Sequence, residues 1–362
     1  MEFEHLKNEI IEANTISNQM YSEMDVKRGL RNSDGSGVLA GLSRISSVVG
    51  VRQDNGSRQP TDGVLKYRGR MIHDLVKDTD GQSRFEYVVF LLLMGRHPSK
   101  DEQHQLQQFL SHHRTLSREF TDHLIRALPS KNIMNKLQTV VSALYTQDGH
   151  PETIDPYENF LKSLMIISKL PVIVAYSYLL AYETNPNLVV PEPKMNTAES
   201  LLYMLRQGEN PSDFEVDILD LALLLHAEHG GGNNSSFTTY VVTSSASDIY
   251  GTITAALGSL KGPLHGGANE EVMHMMNKIQ KPENALKWIN NALKNKEVVM
   301  GFGHRVYKSG DSRVPTMRKY FAKVAKIKKG KKFEKIYDIV EKVMIERKNI
   351  YPNVGYPTGP TY

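Results

Sequence analysis

Residues Phe85–Glu102 read FEYVVFLLLMGRHPSKDE: an apolar run through Met94, a stop at Gly95 and Pro98, and a restart at Ser99-Lys100-Asp101-Glu102. The restart has capping-box chemistry, in which the Ser hydroxyl and the Glu carboxylate satisfy free N–H groups at a helix start reciprocally. The unit therefore predicts helix, tight connection, helix. Working outward, Asn196 with Glu199 repeats the start signal before Leu201–Leu205, and Val216–His226 is a periodic apolar stretch broken soon afterwards by Gly230-Gly231-Gly232. Asn269–Ile279, Asn284–Leu293 and Thr316–Lys329 continue the helical pattern. Strand signals are confined to Ile45–Arg52 and Val64–Tyr67, which flank the turn dipeptide Asn55-Gly56. Strands and helices do not alternate, which argues against a doubly wound sheet. The expected fold is mainly α with a small N-terminal β-hairpin.

The chain has 362 residues, with 44 Lys+Arg against 40 Asp+Glu, a formal charge of +4 and no Cys. At 40% hydrophobic and 23% charged residues it is ordinary globular material, long enough for two domains or one large helical body. The absence of Cys excludes disulfide scaffolds, thiolate zinc sites and Cys nucleophiles. Arg318–Lys332 is rich in Lys and Arg without a single acid, and reads as a solvated helix face; with no aromatic interleaving, no nucleic-acid partner is expected. The start, MEFEHLKNEIIEAN, lacks the apolar centre of a signal peptide, so a cytoplasmic protein is expected. One stretch, Leu164–Tyr182, is apolar enough to suggest a membrane span, but Lys169 and Pro171 near its middle favour a buried helix broken at Pro171, and no membrane partner is expected.

The chemistry gathers where His meets Gly, since Gly frees backbone N–H groups and lets a ligand approach the main chain. Three segments qualify: His226-Ala227-Glu228-His229-Gly230, His265-Gly266-Gly267 and Gly301-Phe302-Gly303-His304-Arg305. A metal site at His226 and His229 with Glu228 is one reading, though the H-E-x-x-H order is absent. Gly301-Phe302-Gly303 is too short for a dinucleotide loop, and there is no G-x-S-x-G elbow. The remaining reading is that neutral imidazoles donate to carbonyl oxygens, each preorganised donor being worth about 3 kcal/mol as charge develops. Arg313 offers a fork for a carboxylate, and Asp311 stands two residues away to orient it. Such a set suits carbon–carbon bond formation on a keto acid.

These residues resemble the citrate synthase family. Gly301–Arg313 (GFGHRVYKSGDSR) is similar to its G-[FY]-G-H-x-[VI]…D-[PS]-R signature, and Gly262–Val272 (GPLHGGANEEV) to its G-P-L-H-G-x-A-N-x-E-V segment. Leu225–His229 with Asn233, and Tyr67-Arg68-Gly69 with Asp74-Leu75, resemble two further motifs, and the likeness runs from about Asp25 to Val354. The resemblance implies a two-domain helical homodimer, with a large domain over 1–264 and a small domain over 265–354; the Pro/Gly/Thr-rich end over 355–362 cannot continue a helix and is expected to be an irregular tail. It implies that His265 holds the thioester carbonyl of acetyl-CoA and His304 polarises the ketone of oxaloacetate, with His229, Asn233 and Arg313 binding that substrate. Val299, Met300, Gly301, Phe302 and Gly303 would line the coenzyme A pocket, with Lys308 facing its phosphates. Acetyl-CoA is a co-substrate; no permanently bound cofactor and no metal are implied. The family activity is the entry step of the tricarboxylic acid cycle, and 2-methylcitrate synthase, acting on propionyl-CoA, is the neighbouring alternative.

The match departs at its C-terminal end, where the family's further helices are not expected and one catalytic residue is missing. The family carries a general-base Asp after P-N-V, whereas Tyr351-Pro352-Asn353-Val354 is followed by Gly355. Three accounts are open: a truncated or frame-shifted chain with GYPTGPTY as a non-native ending, a non-catalytic relative, or a different carboxylate, Asp311 or Glu270, acting as base.

Overall fold

The computed structural model describes residues 43–54, 57–262, 265–328 and 330–361, with the isolated positions 19, 23 and 38. The N-terminal segment MEFEHLKNEIIEAN, the dipeptide Asn55-Gly56, and Pro263, Leu264 and Lys329 lie outside them. The fold is mostly helical with one small sheet, as expected from the capping pattern. Strands β1 (Ser46–Asp54) and β2 (Ser57–Tyr67) pair antiparallel, Asp54 opposite Ser57, and β3 (Arg70–Met71) adds a short edge. The register shifts between Val49 and Val51, so Gly50 occupies an irregularity in the ladder.

The chain then runs through α1 (Ile72–Asp78), α2 (Arg84–Met94) and α3 (Lys100–His112). Helix α2 ends at Gly95, whose φ of 78° is the left-handed cap that glycine permits, and Ser99 with Glu102 forms the complete capping box of α3. Next come α4 (Ile133–Ala143), α5 (Pro156–Tyr182), α6 (Thr197–Leu205) and α7 (Asp213–His226). The expected break at Pro171 is absent: α5 is one helix of 27 residues with Pro171 inside it. A proline removes one helical hydrogen bond, and packing holds the helix across it, because Ile166, Val172, Ile173, Ala175 and Tyr176 are all buried in one apolar cluster with α4 and α6. Helix α5 is long and apolar enough to cross a membrane by composition, and over half of its apolar window is buried inside the structure.

Helices α8 (Asn234–Thr243) and α9 (Ile249–Leu260) pack on one another and α9 on α4. Helix α8 buries no residue, although Phe237, Tyr240, Val241 and Val242 lie on it. Helices α10 (Ala268–Ile279), α11 (Pro282–Lys294), α12 (Val314–Ile327) and α13 (Lys331–Lys348) enclose a second core, with Val272, Met276, Ile289, Phe321, Ile336 and Val340 at 0–1% exposure. The basic stretch lies on α12 and the start of α13, where Arg318 pairs with Glu334 and Asp338 and covers the Tyr337 ring at 4.7 Å.

The irregular tail expected over 355–362 is instead a buried helical turn, α14 (Gly355–Thr358), followed by a tighter turn over Gly359–Thr361. Composition misled here for two reasons. Pro357 falls in the first helical turn, where no N–H is needed, and Tyr356 fills the second core at 0% exposure. Thr358 and Thr361 return their hydroxyls to Val354 O (2.7 Å) and Pro357 O (2.6 Å). Gly359 lies so close to α10 that a Cβ would come within 2.7 Å of Asn269 O.

Candidate active site

The site forms where the loop after α7 meets the loop before α12. The α7 loop is fixed from the hairpin: Tyr67, fully buried, accepts from Glu228 N (3.2 Å) and donates within reach of Leu224 O (3.1 Å) and Glu228 O (3.0 Å). Ser46 donates to the Glu228 carboxylate (2.8 Å), which also accepts from Gly230 N (2.5 Å). Glu228 is thus committed to holding the loop. His226, at the solvent-facing end of α7, donates Nδ1–H to Ala222 O (2.8 Å), and the described residues contain no group of three metal-type ligands.

These anchors aim His229 at His304, with ring centroids 4.9 Å apart and an edge-on angle of 67°. Tyr307, which the sequence reading did not single out, stacks on His304 (4.4 Å, 22°) and meets His229 edge-on (5.4 Å). Its only sequence signal is its place inside the Gly301–Arg313 signature. His304 Nδ1 accepts from the backbone N–H of Val306 (3.1 Å) and Tyr307 (3.0 Å). Two donors on Nδ1 place the proton of the neutral ring on Nε2, which is then a hydrogen-bond donor. Burial, with help from Arg313 and Lys308, lowers the His304 pKa to about 4, and burial, Arg313 and His304 lower that of His229 to about 3. Both rings are therefore neutral near pH 7. His229 Nε2 is buried with no hydrogen-bond partner among the described residues, a polar atom left for a ligand.

Arg313 supplies the positive charge. It is 6% exposed and is gripped by Asp311, whose oxygens accept from Arg313 Nε (3.0 Å), Nη2 (2.8 Å) and backbone N (3.0 Å). Asp311 also accepts from Val354 N (3.1 Å). The orienting role expected for Asp311 is present, and it removes Asp311 as a candidate base: the paired guanidinium holds its carboxyl below the usual range against the opposing effect of burial. Glu270, the other candidate, has an 80% exposed side chain facing His274 and lies on the solvent side of α10.

His265 stands apart from the other two histidines, with no ring contact to either among the described residues. Its Nε2 lies 2.6 Å from the Ser235 hydroxyl at the start of α8. With Ser235 as donor, the imidazole proton sits on Nδ1, and burial keeps the ring neutral by lowering its pKa. Ser235 was missed because a serine in a polar run carries no signal. Asn233 is the α8 N-cap: Oδ1 accepts from Ser236 N (2.9 Å) and Nδ2 donates to Gly230 O (2.7 Å), so its amide holds the loop.

The hairpin also clamps the His304 loop. A Cβ on Gly50 would lie 2.3 Å from Val306 O, and one on Gly63 would lie 2.3 Å from Gly310 O. Gly63 N donates to Gly310 O at 3.1 Å. Neither glycine was recognised from sequence, because the need arises only when the two backbones meet. Gly63→Ala is expected to displace the loop and weaken keto-acid binding about tenfold, a loss of about 1.4 kcal/mol, as read by calorimetry. Unchanged affinity would show that the loop holds its own shape.

The glycine turn Gly301-Phe302-Gly303 has φ of 81° and 77° at its two glycines. Val299 beside it is buried, Phe302 is half-buried, and Met300 packs against the second core. Lys308 is exposed, its ammonium donating to His304 O at 3.2 Å.

Residues 33–362 match the citrate synthase C-terminal domain family. The chain belongs to the citrate synthase family. It is 38% identical to 2-methylcitrate synthase 2 of Corynebacterium glutamicum over 93% of its own length and 84% of that protein, and 38% identical to a citrate synthase of Mycolicibacterium smegmatis, covering 90% and 82%. The solved citrate synthase of Thermoplasma acidophilum, a ternary complex with carboxymethyl coenzyme A and oxaloacetate, superposes with a TM-score of 0.77 at 26% identity, over 89% of this chain and 81% of that one. The family match reaches residue 362, beyond Val354, where the likeness was expected to stop. Glycine stands at position 355.

Proposed function

We propose that this chain binds oxaloacetate and an acyl-CoA, and carries the condensing apparatus of a citrate synthase with the general-base position vacant. The observation that carries the reading is the fixed tautomer of His304. A neutral ring with its Nε2–H available, beside an Arg313 held in place by Asp311, can polarise a ketone while binding a carboxylate. His229, whose Nε2 has no partner among the described residues, supplies a further polar contact to the keto acid. His265, oriented by Ser235, would hold the thioester carbonyl, and the backbone of Val299–Gly303 with Lys308 would bind coenzyme A. Asn233 supports this pocket by shaping the loop. The reaction needs a proton taken from the acyl methyl group; Gly355 has no side chain to take it, and neither Asp311 nor Glu270 is placed to replace it. Keto-acid and acyl-CoA binding are therefore proposed intact, and enolisation slow. Acetyl-CoA and propionyl-CoA are supported equally, because the relatives include citrate synthases and 2-methylcitrate synthases.

No metal is assigned a role, and no cofactor beyond the acyl-CoA co-substrate. A homodimer is proposed from α8, none of whose residues is fully buried within one subunit and whose Val241 is 51% exposed. A cytoplasmic location is proposed, in keeping with substrates of central metabolism.

The test is calorimetric titration with oxaloacetate and with coenzyme A, alongside a thiol-release assay with acetyl-CoA. Binding of both ligands with negligible thiol release is expected. Absence of oxaloacetate binding would refute the reading, and thiol release at an ordinary citrate synthase rate would refute the vacant-base part of it.

The pH dependence follows from the buried histidines. An unfolded His titrates near 6.5, while folded His304 titrates near 4. Between these values the unfolded chain binds more protons, so the contribution is complete above pH 6.5 and is lost as pH falls toward 4. Thermal melts from pH 7 to 4 should show this slope, and His304→Gln should make it shallower, leaving the share of His229. An unchanged slope in that variant would contradict a buried neutral His304.

A further inference from the structure

The C-terminal turn touches the proposed coenzyme A loop at its two glycines. A side chain at Gly301 would meet Tyr356 Cβ, Tyr356 Cδ2 and Val272 Cγ2, each at 2.8 Å. The Phe302 ring packs on Tyr356 at 4.4 Å, and Phe302 bridges to Pro352. Asn353 N donates to Gly301 O (2.8 Å), Gly303 N to Tyr351 O (2.9 Å) and Asn353 Nδ2 to Gly303 O (2.9 Å). On its other face the Tyr356 ring stacks on Tyr337 at 4.2 Å and 29°, and its hydroxyl donates to Tyr337 O at 3.1 Å. Tyr356 is fully buried and Tyr337 equally so.

Two glycines at positive φ give Gly301–Gly303 many accessible conformations, and fixing each residue costs on the order of 1–2 kcal/mol. A pocket made from main chain binds well only if that chain is already in place. The hydrogen bonds from Tyr351 and Asn353 set the level of the turn; the Tyr356 ring is the surface on which it rests, filling the space under Gly301 and Phe302. That ring is itself held by Tyr337 from below.

The geometry points to Tyr356 as a positioning residue for acyl-CoA: it fixes the Gly301–Gly303 turn that receives the coenzyme, without touching the coenzyme itself. This rests on the coenzyme A reading above. It assigns a specific task to the segment that follows the vacant base position, and that task is independent of proton transfer.

The experiment compares Tyr356→Leu and Tyr356→Phe with the unsubstituted chain in three measurements: amide hydrogen exchange over residues 301–303 without ligand, coenzyme A affinity by calorimetry, and oxaloacetate affinity by the same method. Tyr356→Leu keeps the site apolar but removes the flat ring. It is expected to speed exchange in the turn and weaken coenzyme A binding about tenfold, roughly 1.4 kcal/mol, while oxaloacetate affinity stays within about twofold. Tyr356→Phe restores the stack and should recover both values. Unchanged exchange and coenzyme A affinity in Tyr356→Leu would overturn the assignment. So would equal loss of both ligands, or failure of Tyr356→Phe to recover, since either marks general destabilisation. If the unsubstituted chain binds no coenzyme A, the reading of the pocket falls and this role with it; if it binds and the variants match it, only the role of Tyr356 falls.

Discussion

Replacing Gly355 with Asp should raise the rate of acetyl-CoA methyl-proton exchange by about 10²–10⁴-fold, the usual contribution of a positioned general base. The backbone accepts a side chain there, because Gly355 begins α14 outside the left-handed region. A Cβ would lie 2.8 Å from Asn269 Oδ1, 3.1 Å from Asn353 Oδ1 and 3.4 Å from Ala268 Cβ. The tightest neighbour is the end of a side chain on α10, which can swing aside. Ala268 and Asn269 begin the helix that follows His265, so the new carboxylate would stand beside the start of that helix. The measurement is deuterium incorporation into the acyl methyl group in the presence of oxaloacetate, followed by thiol release. Adding His265→Ala to Gly355→Asp should abolish the gain. A Gly355→Asp protein that folds, binds both ligands and still exchanges no faster would show that more than the base is missing.

Asp311→Ala should be among the most damaging single changes to stability, at about 3–5 kcal/mol, because removing one partner of a buried ion pair leaves the other charge uncompensated. Asp311 is 3% exposed and Arg313 is 6% exposed. The same carboxylate also receives Arg313 N and Val354 N, so its loss frees two backbone donors as well as the guanidinium. Val354 joins the Asp311–Arg313 pair to the C-terminal turn, and the damage should extend to α14. Denaturant unfolding reads the stability, and calorimetry the loss of oxaloacetate affinity as Arg313 moves off its fork geometry. Asp311→Asn keeps the shape and should lie between the two. A change of under 1 kcal/mol in Asp311→Ala would mean that water reaches Arg313 and that the pair is not sealed.

Some features were legible because they are local. Ser99 with Glu102, Asn196 with Glu199 and Gly95 each act within one helix turn, so their spacing in sequence is their spacing in space. The pairing of Asp311 with Arg313 was readable for the same reason. The continuity of α5 through Pro171 and the order of the 355–362 tail were not. In both cases local propensity pointed one way and burial of Val172, Ile173 or Tyr356 decided the other.

The sequence by itself determined the helical class, the hairpin, the three His–Gly segments and the absence of an acid at position 355, since each depends on residue identity or short-range periodicity. Tertiary structure alone decided which nitrogen of His304 carries the proton, that Tyr307 completes the His229–His304 contact, that Ser235 orients His265, and that Gly50 and Gly63 admit the loop. Those outcomes depend on backbone groups and rings brought together from segments far apart in the chain. A one-dimensional pattern carries no record of the 2–5 Å approaches at which hydrogen bonds, ring stacking and desolvation act.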